Sequence, residues 1–311
     1  MFTVIVCHKR YWADNDNDNN KEGVMEKEKL IEMLNRDLAD EHAAIIRYMA
    51  HSYLEGEDTP IGASLLSRAR EEMWHMHWLG MIIGKLGGEP DMEPAPYPHD
   101  PTNRATIFQS YIDYEKKLVP HYEKEADMVD DPHIRRVLLR EAWESDYHAL
   151  KFKKILDKLS PEAADALPGD ANELSEDLEA MLQQSVAAKY RQMLQAIRDS
   201  WVFQANGLPA WQRMDFTMTK MKQLAHSAEE IAENGLPPDL STGTILKPAS
   251  LSEALTGALE NVRQTMALHE KIHTSNEAQK HGGLMVNLDL TLRQENYEAG
   301  ELSDQLPVGG D

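Results

Sequence analysis

Apolar residues recur every three or four positions along most of this chain, and this period is the strongest constraint on its fold. It begins at Met25 and is clear in LIEMLNRDLADEHAAIIRYMAHSYL, residues 30–54. Such a period places apolar side chains on one face of an α-helix, whereas a half-buried strand needs strict alternation. We find no convincing alternating segment in the sequence. The sequence therefore predicts an all-α protein.

Proline and glycine clusters divide the first half of the chain into four helices. They lie at residues 56–60 (GEDTP), 87–101 (GGEPDMEPAPYPHDP) and 130–132 (DDP). The long middle connection can cross the length of a bundle, while the two outer connections are tight turns. This order predicts a four-helix bundle over residues 25–159, with the first two helices antiparallel and the last two antiparallel.

The same order of short, long and short connections returns in the second half. Residues 160–171 (SPEAADALPGDA) have the composition of a linker, and helices are predicted at about 173–206, 209–233, 250–276 and 283–305. We predict a second four-helix bundle within residues 172–311 and interpret the two bundles as repeats of one architecture. Residues 1–24, which contain DNDNDNN, are predicted to be a flexible arm, and either Met1 or Met25 can be the native start.

Charge and cysteine content exclude several classes of protein. The chain has 53 acidic and 32 basic residues, a net charge of −21, and one cysteine. This charge opposes binding to nucleic acid or to anionic membranes and favours cations. One cysteine excludes an internal disulfide and a four-cysteine metal site. Because residues 1–10 lack the basic region and cleavage site of a secretory signal, and no apolar run could span a bilayer, we expect a cytoplasmic protein.

Glutamate and histidine residues occupy inward positions on the first three predicted helices. Glu41 lies within the apolar stripe of the first helix, and Glu115 within that of the third. Glu72 and His75 form a Glu-x-x-His pair on the second helix, so both project from one face. A carboxylate buried without a partner is costly. We therefore expect divalent cations to balance these side chains.

The fourth predicted helix offers His148 with two alternative carboxylates. Ser145 stands three residues before His148, where a Glu-x-x-His pair would have its glutamate, and both Glu141 and Glu144 lie on the same stripe. The third-helix glutamate precedes His148 by 33 residues, and the first-helix glutamate precedes His75 by 34, so the two histidines mirror each other. We predict Glu144 as the ligand and keep Glu141 as the alternative.

This pattern resembles that of the ferritin-like superfamily, which includes bacterioferritins and rubrerythrins. Its members place Glu, Glu-x-x-His, Glu and a second Glu-x-x-His around two metal ions. The sequence matches the first three elements and the fourth loosely. The resemblance implies two iron ions, or manganese in their place, held by Glu41, Glu72, His75, Glu115, Glu144 and His148. It makes Tyr48 and Tyr122 candidates for hydrogen bonding to these ligands or for carrying an oxidising equivalent.

Three functions are compatible with this resemblance. The first is a redox enzyme of oxidase, peroxidase or oxygenase type that reacts with dioxygen or peroxide, with a separate electron donor because no rubredoxin segment is present. The second is iron oxidation and storage, although a tandem bundle is awkward in a cage built from single bundles. The third is a helical scaffold whose metal sites are relics. A homo-oligomer, by default a dimer, is expected.

In the second half of the chain, amides replace most of the corresponding carboxylates. The predicted equivalents are Gln183, Gln223 with His226, Glu260, and Gln294 with Tyr297. Amides are weaker ligands for hard cations and bring no charge. We therefore predict no dimetal centre in this bundle. It is expected to support the first bundle, to cover a substrate pocket or to form an oligomer interface.

Several residues near these motifs are assigned other roles. His42 and His77 are predicted to lie at the surface or beside the ligands, and His121, which is off the ligand stripe, to be exposed. Trp74 and Trp78 are predicted to be packing residues.

Overall fold

The computed structural model describes residues 25–98, 100–166 and 174–306, and within these ranges the chain contains helices and no β-strand. The first bundle consists of α1 (Lys27–Glu55), α2 (Pro60–Lys85), α3 (Arg104–Met128) and α4 (Pro132–Leu156). A short helix, α5 (Pro161–Asp165), follows. The second bundle consists of α6 (Glu176–Val202), α7 (Leu208–Glu233), α8 (Leu251–His273) and α9 (Gly282–Gln305), with short 3₁₀ helices at Gln204–Asn206 and Ala278–Lys280. The predicted all-α fold of two consecutive four-helix bundles is confirmed.

The predicted breakers coincide with helix ends because they supply the capping residues. Thr59 accepts a hydrogen bond from the backbone at the start of α2, where Pro60 occupies the first turn. Asn103 and Thr106 form a reciprocal capping box at the start of α3. Asp131 accepts two backbone N–H bonds at the start of α4. These side chains satisfy amide groups that have no partner within the helix, and so fix where each helix begins.

The helices pair as the loop lengths predict, α1 with α2 and α3 with α4 in the first bundle, and α6 with α7 and α8 with α9 in the second. The long connection between α2 and α3 runs along α1. The amide group of Asn35 donates to the Glu89 carbonyl at 3.1 Å and accepts from the Asp91 N–H at 2.7 Å. The Ala95 N–H donates to the Ala39 carbonyl at 2.9 Å. These bonds fasten the crossover to the outside of the bundle.

Two glycine residues allow α2 of the first bundle to approach α6 of the second. A Cβ atom at Gly80 would lie 2.4 Å from the ring of Trp201, and one at Gly84 would lie 2.4 Å from the Trp201 carbonyl oxygen. The ring of Trp201 is fully buried, and its Nε1 donates to Nδ1 of His77 at 3.0 Å. The absence of a side chain at these two positions is therefore required for the observed contact.

Polar contacts add to this interface. Nε2 of His42 lies 2.5 Å from the phenolic oxygen of Tyr190, and both side chains are fully buried. Arg198 donates two bonds of 2.7 Å to the Glu89 carboxylate. A cavity of about 320 Å³ beside His42 and Tyr190 has an apolar lining that includes six methionines: Met73, Met76, Met193, Met214, Met218 and Met221. The two bundles are thus joined by packed and hydrogen-bonded side chains.

Parts of the predicted domain division fall outside the described residues. The predicted arm, residues 1–24, lies there entirely, as do residues 167–171 of the predicted linker. The described part of that linker contains α5, which the sequence did not predict. Among the described helices, none has both the length and the apolar character to cross a membrane.

Candidate metal centre

Four helices bring five predicted ligands together in the middle of the first bundle. Each of these side chains is at most 2% exposed: Glu41, Glu72, His75, Glu115 and His148. They form two groups, Glu41 with Glu72 and His75, and Glu72 with Glu115 and His148, in each of which the ligand atoms lie within 4.8 Å of one another. Glu72 belongs to both groups and would be a ligand in each.

The two oxygens of Glu72 face two different imidazoles. Its Oε2 lies 2.9 Å from Nδ1 of His75, and its Oε1 lies 2.7 Å from Nδ1 of His148. Nδ1 of His75 is also 3.2 Å from Oε2 of Glu41, and Nδ1 of His148 is 3.4 Å from Oε1 of Glu115. The arrangement is nearly symmetric, since each imidazole faces the shared carboxylate and one other carboxylate.

The outer nitrogen of each histidine contacts a further carboxylate. Nε2 of His75 lies 2.5 Å from Oε2 of Glu144, and Nε2 of His148 lies 2.6 Å from Oε2 of Glu71. Metal-binding histidines commonly donate their second N–H to a carboxylate, which fixes the ring and leaves the other nitrogen free to ligate. Glu71 was not among the predicted site residues, although its place beside the Glu-x-x-His pair is a usable signal.

Two buried tyrosines hold the carboxylates of α1 and α3. Tyr48 donates its hydroxyl to Oε1 of Glu115 at 2.6 Å, and Tyr122 donates to Oε1 of Glu41 at 2.5 Å. Neither tyrosine is exposed. At Glu41 the other oxygen, Oε2, faces His75, whereas at Glu115 the bonded oxygen, Oε1, is also the one that faces His148.

The carboxylates of this cluster favour the protonated form of both imidazoles. Burial disfavours the charged form of His75, but the carboxylates around it, above all Glu41, hold its pKa well above the ordinary value. For His148 the effect of burial is outweighed by Glu72, so that its pKa is also raised well above the ordinary value. Burial, reinforced by the charge of Glu72, raises the pKa of Glu41 to about 8. Metal cations that displace these protons would supply the same positive charge.

Several buried atoms in the cluster have no hydrogen-bond partner among the described residues. They are Oε1 of Glu72, Oε2 of Glu115, Nδ1 of His148 and both carboxylate oxygens of Glu141. Nδ1 of His148 and Oε1 of Glu72 are 2.7 Å apart without the geometry of a hydrogen bond. Polar atoms that are buried and unpaired are costly, and a shared cation satisfies them. The donor set therefore fits bound metal cations.

The two alternative carboxylates of α4 occupy different places. Glu144 lies between Nε2 of His75 and Arg140, whose Nε donates to Glu144 Oε1 at 2.8 Å. Glu141 is fully buried, and burial raises its pKa well above the ordinary value, with the charge of Glu41 adding to the increase and His75 opposing it. Glu141 thus points into the bundle, whereas Glu144 contacts the outer edge of a histidine ring.

Buried lysines lie at the centre of the second bundle, whereas the centre of the first bundle contains carboxylates with unpaired oxygens. Lys189 pairs with Glu295, and Lys220 pairs with Glu298, all four being at most 4% exposed. Nδ1 of His269 lies 2.9 Å from Oε2 of Glu295. Burial and the neighbouring Lys220 lower the pKa of Lys189 to about 7. Burial opposes ionisation of Glu295, but His269 and Lys189 outweigh it and lower its pKa to about 2.

These residues correct the predicted equivalents in the second bundle. Gln223 is fully buried as predicted, but Tyr297 is 68% exposed, Glu260 is exposed and Gln183 is half-buried. The predicted frame followed the spacing from Gln183 to Tyr190, and Tyr190 faces His42 of the first bundle. The sequence pattern therefore identified the interface side of α6 instead of the side that faces its own bundle.

Comparison with known proteins identifies the first bundle. Residues 31–161, which contain the first bundle except for the start of α1, match the family described as the ferritin-like domain. The predicted resemblance to the ferritin-like superfamily is confirmed by this match. No curated protein matches the chain. The second bundle lies outside the matched residues, and its relationship to the first stays a prediction.

Proposed function

We propose that the first bundle binds two iron or manganese ions and acts as a redox enzyme toward dioxygen or peroxide. The observation that carries this proposal is the pair of overlapping ligand groups that share Glu72. Five of the proposed ligands come from these groups: Glu41, Glu72, His75, Glu115 and His148. Imidazole and carboxylate ligands suit both metals.

The sixth proposed ligand comes from α4, and the contacts favour Glu141 over Glu144. Both oxygens of Glu141 are buried and unpaired, which is the condition that a cation relieves. Glu144 already contacts Nε2 of His75 at 2.5 Å and accepts a bond from Arg140 at 2.8 Å. We therefore assign Glu144 the task of orienting His75, and revise the order of preference that the sequence suggested.

Metal ions held by these residues would supply electrons to dioxygen or peroxide, and the side chains of the bundle orient the ligands and exclude water. Tyr48 and Tyr122 fix one oxygen each of Glu115 and Glu41. The hydroxyl of Tyr122 keeps its proton in the hydrogen bond to the Glu41 carboxylate. The burial of all five ligands limits the access of water.

A depression in the surface between α2 and α4 supports the proposal that a small oxidant, and electrons from a separate donor, reach the metal centre from this side. It has a volume of about 320 Å³, and its lining includes Glu71 and Glu144, which contact the two histidines. Trp74 and Trp143 at its rim are 60% and 67% exposed, so the prediction that Trp74 is a packing residue is wrong. The ring of Trp78 lies 5.8 Å from that of His75.

The balance of buried charges in the second bundle favours a structural role for this bundle, without a dimetal centre. Lys189 and Lys220 neutralise Glu295 and Glu298, so the buried carboxylates need no metal for charge balance. The cytoplasmic location and the homo-oligomeric state stay predictions; the single cysteine supports the former.

Metal analysis of protein purified without added metal tests the proposal. The test variant is Glu72→Ala with His75→Ala, and the matched control is Gln223→Ala with His226→Ala, which alters the same spacing in the second bundle. We expect the wild type and the control to contain about two ions per chain more than the test variant. Storage would give many more iron ions per chain. Absence of metal from all three proteins, even after anaerobic addition of Fe(II), would overturn the proposal.

Loaded protein is then assayed for consumption of dioxygen and of peroxide with a chemical reductant. Turnover by the wild type and the control, but not by the test variant, is the expected result. Binding of two ions without turnover would support the metal centre but contradict the proposed redox activity.

A further inference from the structure

A second cluster of potential ligands lies in the first bundle near the proposed dimetal centre. Asp37 lies on α1 four residues before Glu41, a rise of about 6 Å along the helix. His121 and Glu125 lie on α3, one turn apart. Single ligand atoms of these three side chains all lie within 4.8 Å of one another. Nε2 of His121 is 3.2 Å from Oδ1 of Asp37 and 3.5 Å from Oε1 of Glu125.

The two carboxylates of this cluster are buried and incompletely paired. Asp37 is fully buried and Glu125 is 5% exposed. Neither Oδ2 of Asp37 nor Oε2 of Glu125 has a hydrogen-bond partner among the described residues. Arg36 approaches only from the outside, with its Nη2 3.7 Å from Oε1 of Glu125, and it also pairs with Glu32. The cluster thus has more negative than positive charge in a buried place.

Two buried carboxylates in contact need a positive charge between them. Burial raises the pKa of Asp37 to about 7. Burial together with the charge of Asp37 raises the pKa of Glu125 to about 8. A proton shared by the two side chains or a bound cation would satisfy them. The imidazole of His121, whose Nε2 faces both carboxylates, adds the nitrogen ligand that a transition-metal cation prefers.

We propose that Asp37, His121 and Glu125 bind a third divalent cation, separate from the dimetal centre. One imidazole and two carboxylates suit Fe(II), Mn(II) or Zn(II), with water completing the coordination. The side chain of His121 is 38% exposed, so an ion reaches this site directly from solvent. The sequence prediction that His121 is exposed and off the ligand stripe missed its contact with Asp37.

Equilibrium dialysis of the full-length, metal-free chain against Mn(II) tests this site. The background is Glu72→Ala with His75→Ala, which removes the dimetal centre. We expect this background to keep about one ion per chain. Addition of Asp37→Asn with Glu125→Gln should abolish that binding, and addition of His121→Gln should weaken it at least about tenfold. The matched control is Asp289→Asn, at the exposed His273–Asp289 pair, whose atoms are 3.0 Å apart; it should leave binding unchanged.

The outcomes separate this site from the dimetal centre. If the Asp37 and His121 variants bind as much Mn(II) as their background, or if the background binds none, the third site is wrong and the carboxylates share a proton instead. One ion lost only in the Asp37 and His121 variants supports the third site even if the dimetal centre fails. Circular dichroism checks folding, and His121→Gln, at a partly exposed position, gives a variant with little risk to the core.

Discussion

Nε2 of His75 lies 2.5 Å from Oε2 of Glu144, while Nδ1 of the same ring faces Glu72 at 2.9 Å. The ring therefore stands between Glu144 and the buried carboxylates. Glu141, one turn earlier on α4, has no such partner and is fully buried. This relationship gives the two glutamates of α4 different expected effects on metal binding.

We expect Glu141→Gln to reduce the occupancy of the dimetal centre below two ions per chain, since it removes a charged ligand. Glu144→Gln should keep both ions but bind them about 10- to 100-fold more weakly, because the amide orients His75 less well. Metal analysis and dialysis at limiting metal measure the two effects. The opposite pattern, with an ion lost only in Glu144→Gln, would restore Glu144 as the ligand.

The hydroxyl of Tyr122 provides a second test of how ligands are oriented. Tyr122→Phe removes the 2.5 Å bond to Oε1 of Glu41 and keeps the ring that packs in the core. Loss of a hydrogen bond to a charged group costs about 1.5–3 kcal/mol, so we expect metal affinity to fall about tenfold or more. Tyr114→Phe is the matched control, because Tyr114 bonds to Asp40 at 2.8 Å outside the ligand groups. Equal effects of the two variants would show that Tyr122 does not act through Glu41.

Glycine-to-alanine substitutions test the contact between the two bundles. Gly84→Ala places a Cβ 2.4 Å from the carbonyl oxygen of Trp201, a backbone atom that cannot rotate away. We expect a loss of about 1–3 kcal/mol in the free energy of unfolding, measured by denaturant titration. In Gly257→Ala, the new Cβ has no atom within 4 Å, and alanine favours helix, so this control should gain up to about 1 kcal/mol. Equal stability of both variants would contradict the close approach of α2 to α6.

The ion pair between Lys189 and Glu295 predicts a pH dependence of stability. The pKa of Glu295 is lowered from 4.5 to about 2 in the folded chain, so its charge stabilises the fold above pH 4.5 and this contribution is lost as the pH falls toward 2. Glu295→Gln should therefore be destabilised most above pH 4.5, by about 3 kcal/mol or more, and less at lower pH. Unfolding titrations from pH 7 to pH 3 measure the difference from the wild type.

Glu260→Gln serves as the control for this effect, because Glu260 is exposed on α8. Its stability difference from the wild type should be small and should not vary with pH in this range. A difference for Glu295→Gln that stays constant with pH would contradict the assignment of an ionised Glu295.

The periodicity of the sequence was sufficient to predict the helices and the inward positions of four proposed ligands. Apolar residues at a helical spacing define an inward stripe, and Glu41, Glu72, His75 and Glu115 lie on it, so their burial follows from local pattern alone. The capping and breaking residues fixed the helix ends for the same reason, since their effects act within a few residues. The match of residues 31–161 to the ferritin-like domain agrees with that reading.

Packing between helices determined the side-chain contacts that the sequence period could not predict. Glu141 and Glu144 both lie near the inward stripe of α4, and only the position of His75 on α2 separates their contacts. The cluster of Asp37 with His121 depends on the alignment of α1 with α3, which are far apart in the sequence. Lys189 has the character of a surface residue and is buried because Glu295 on α9 neutralises it. Sequence periodicity determines which face of a helix is apolar, whereas contacts between distant charged groups depend on how the helices pack.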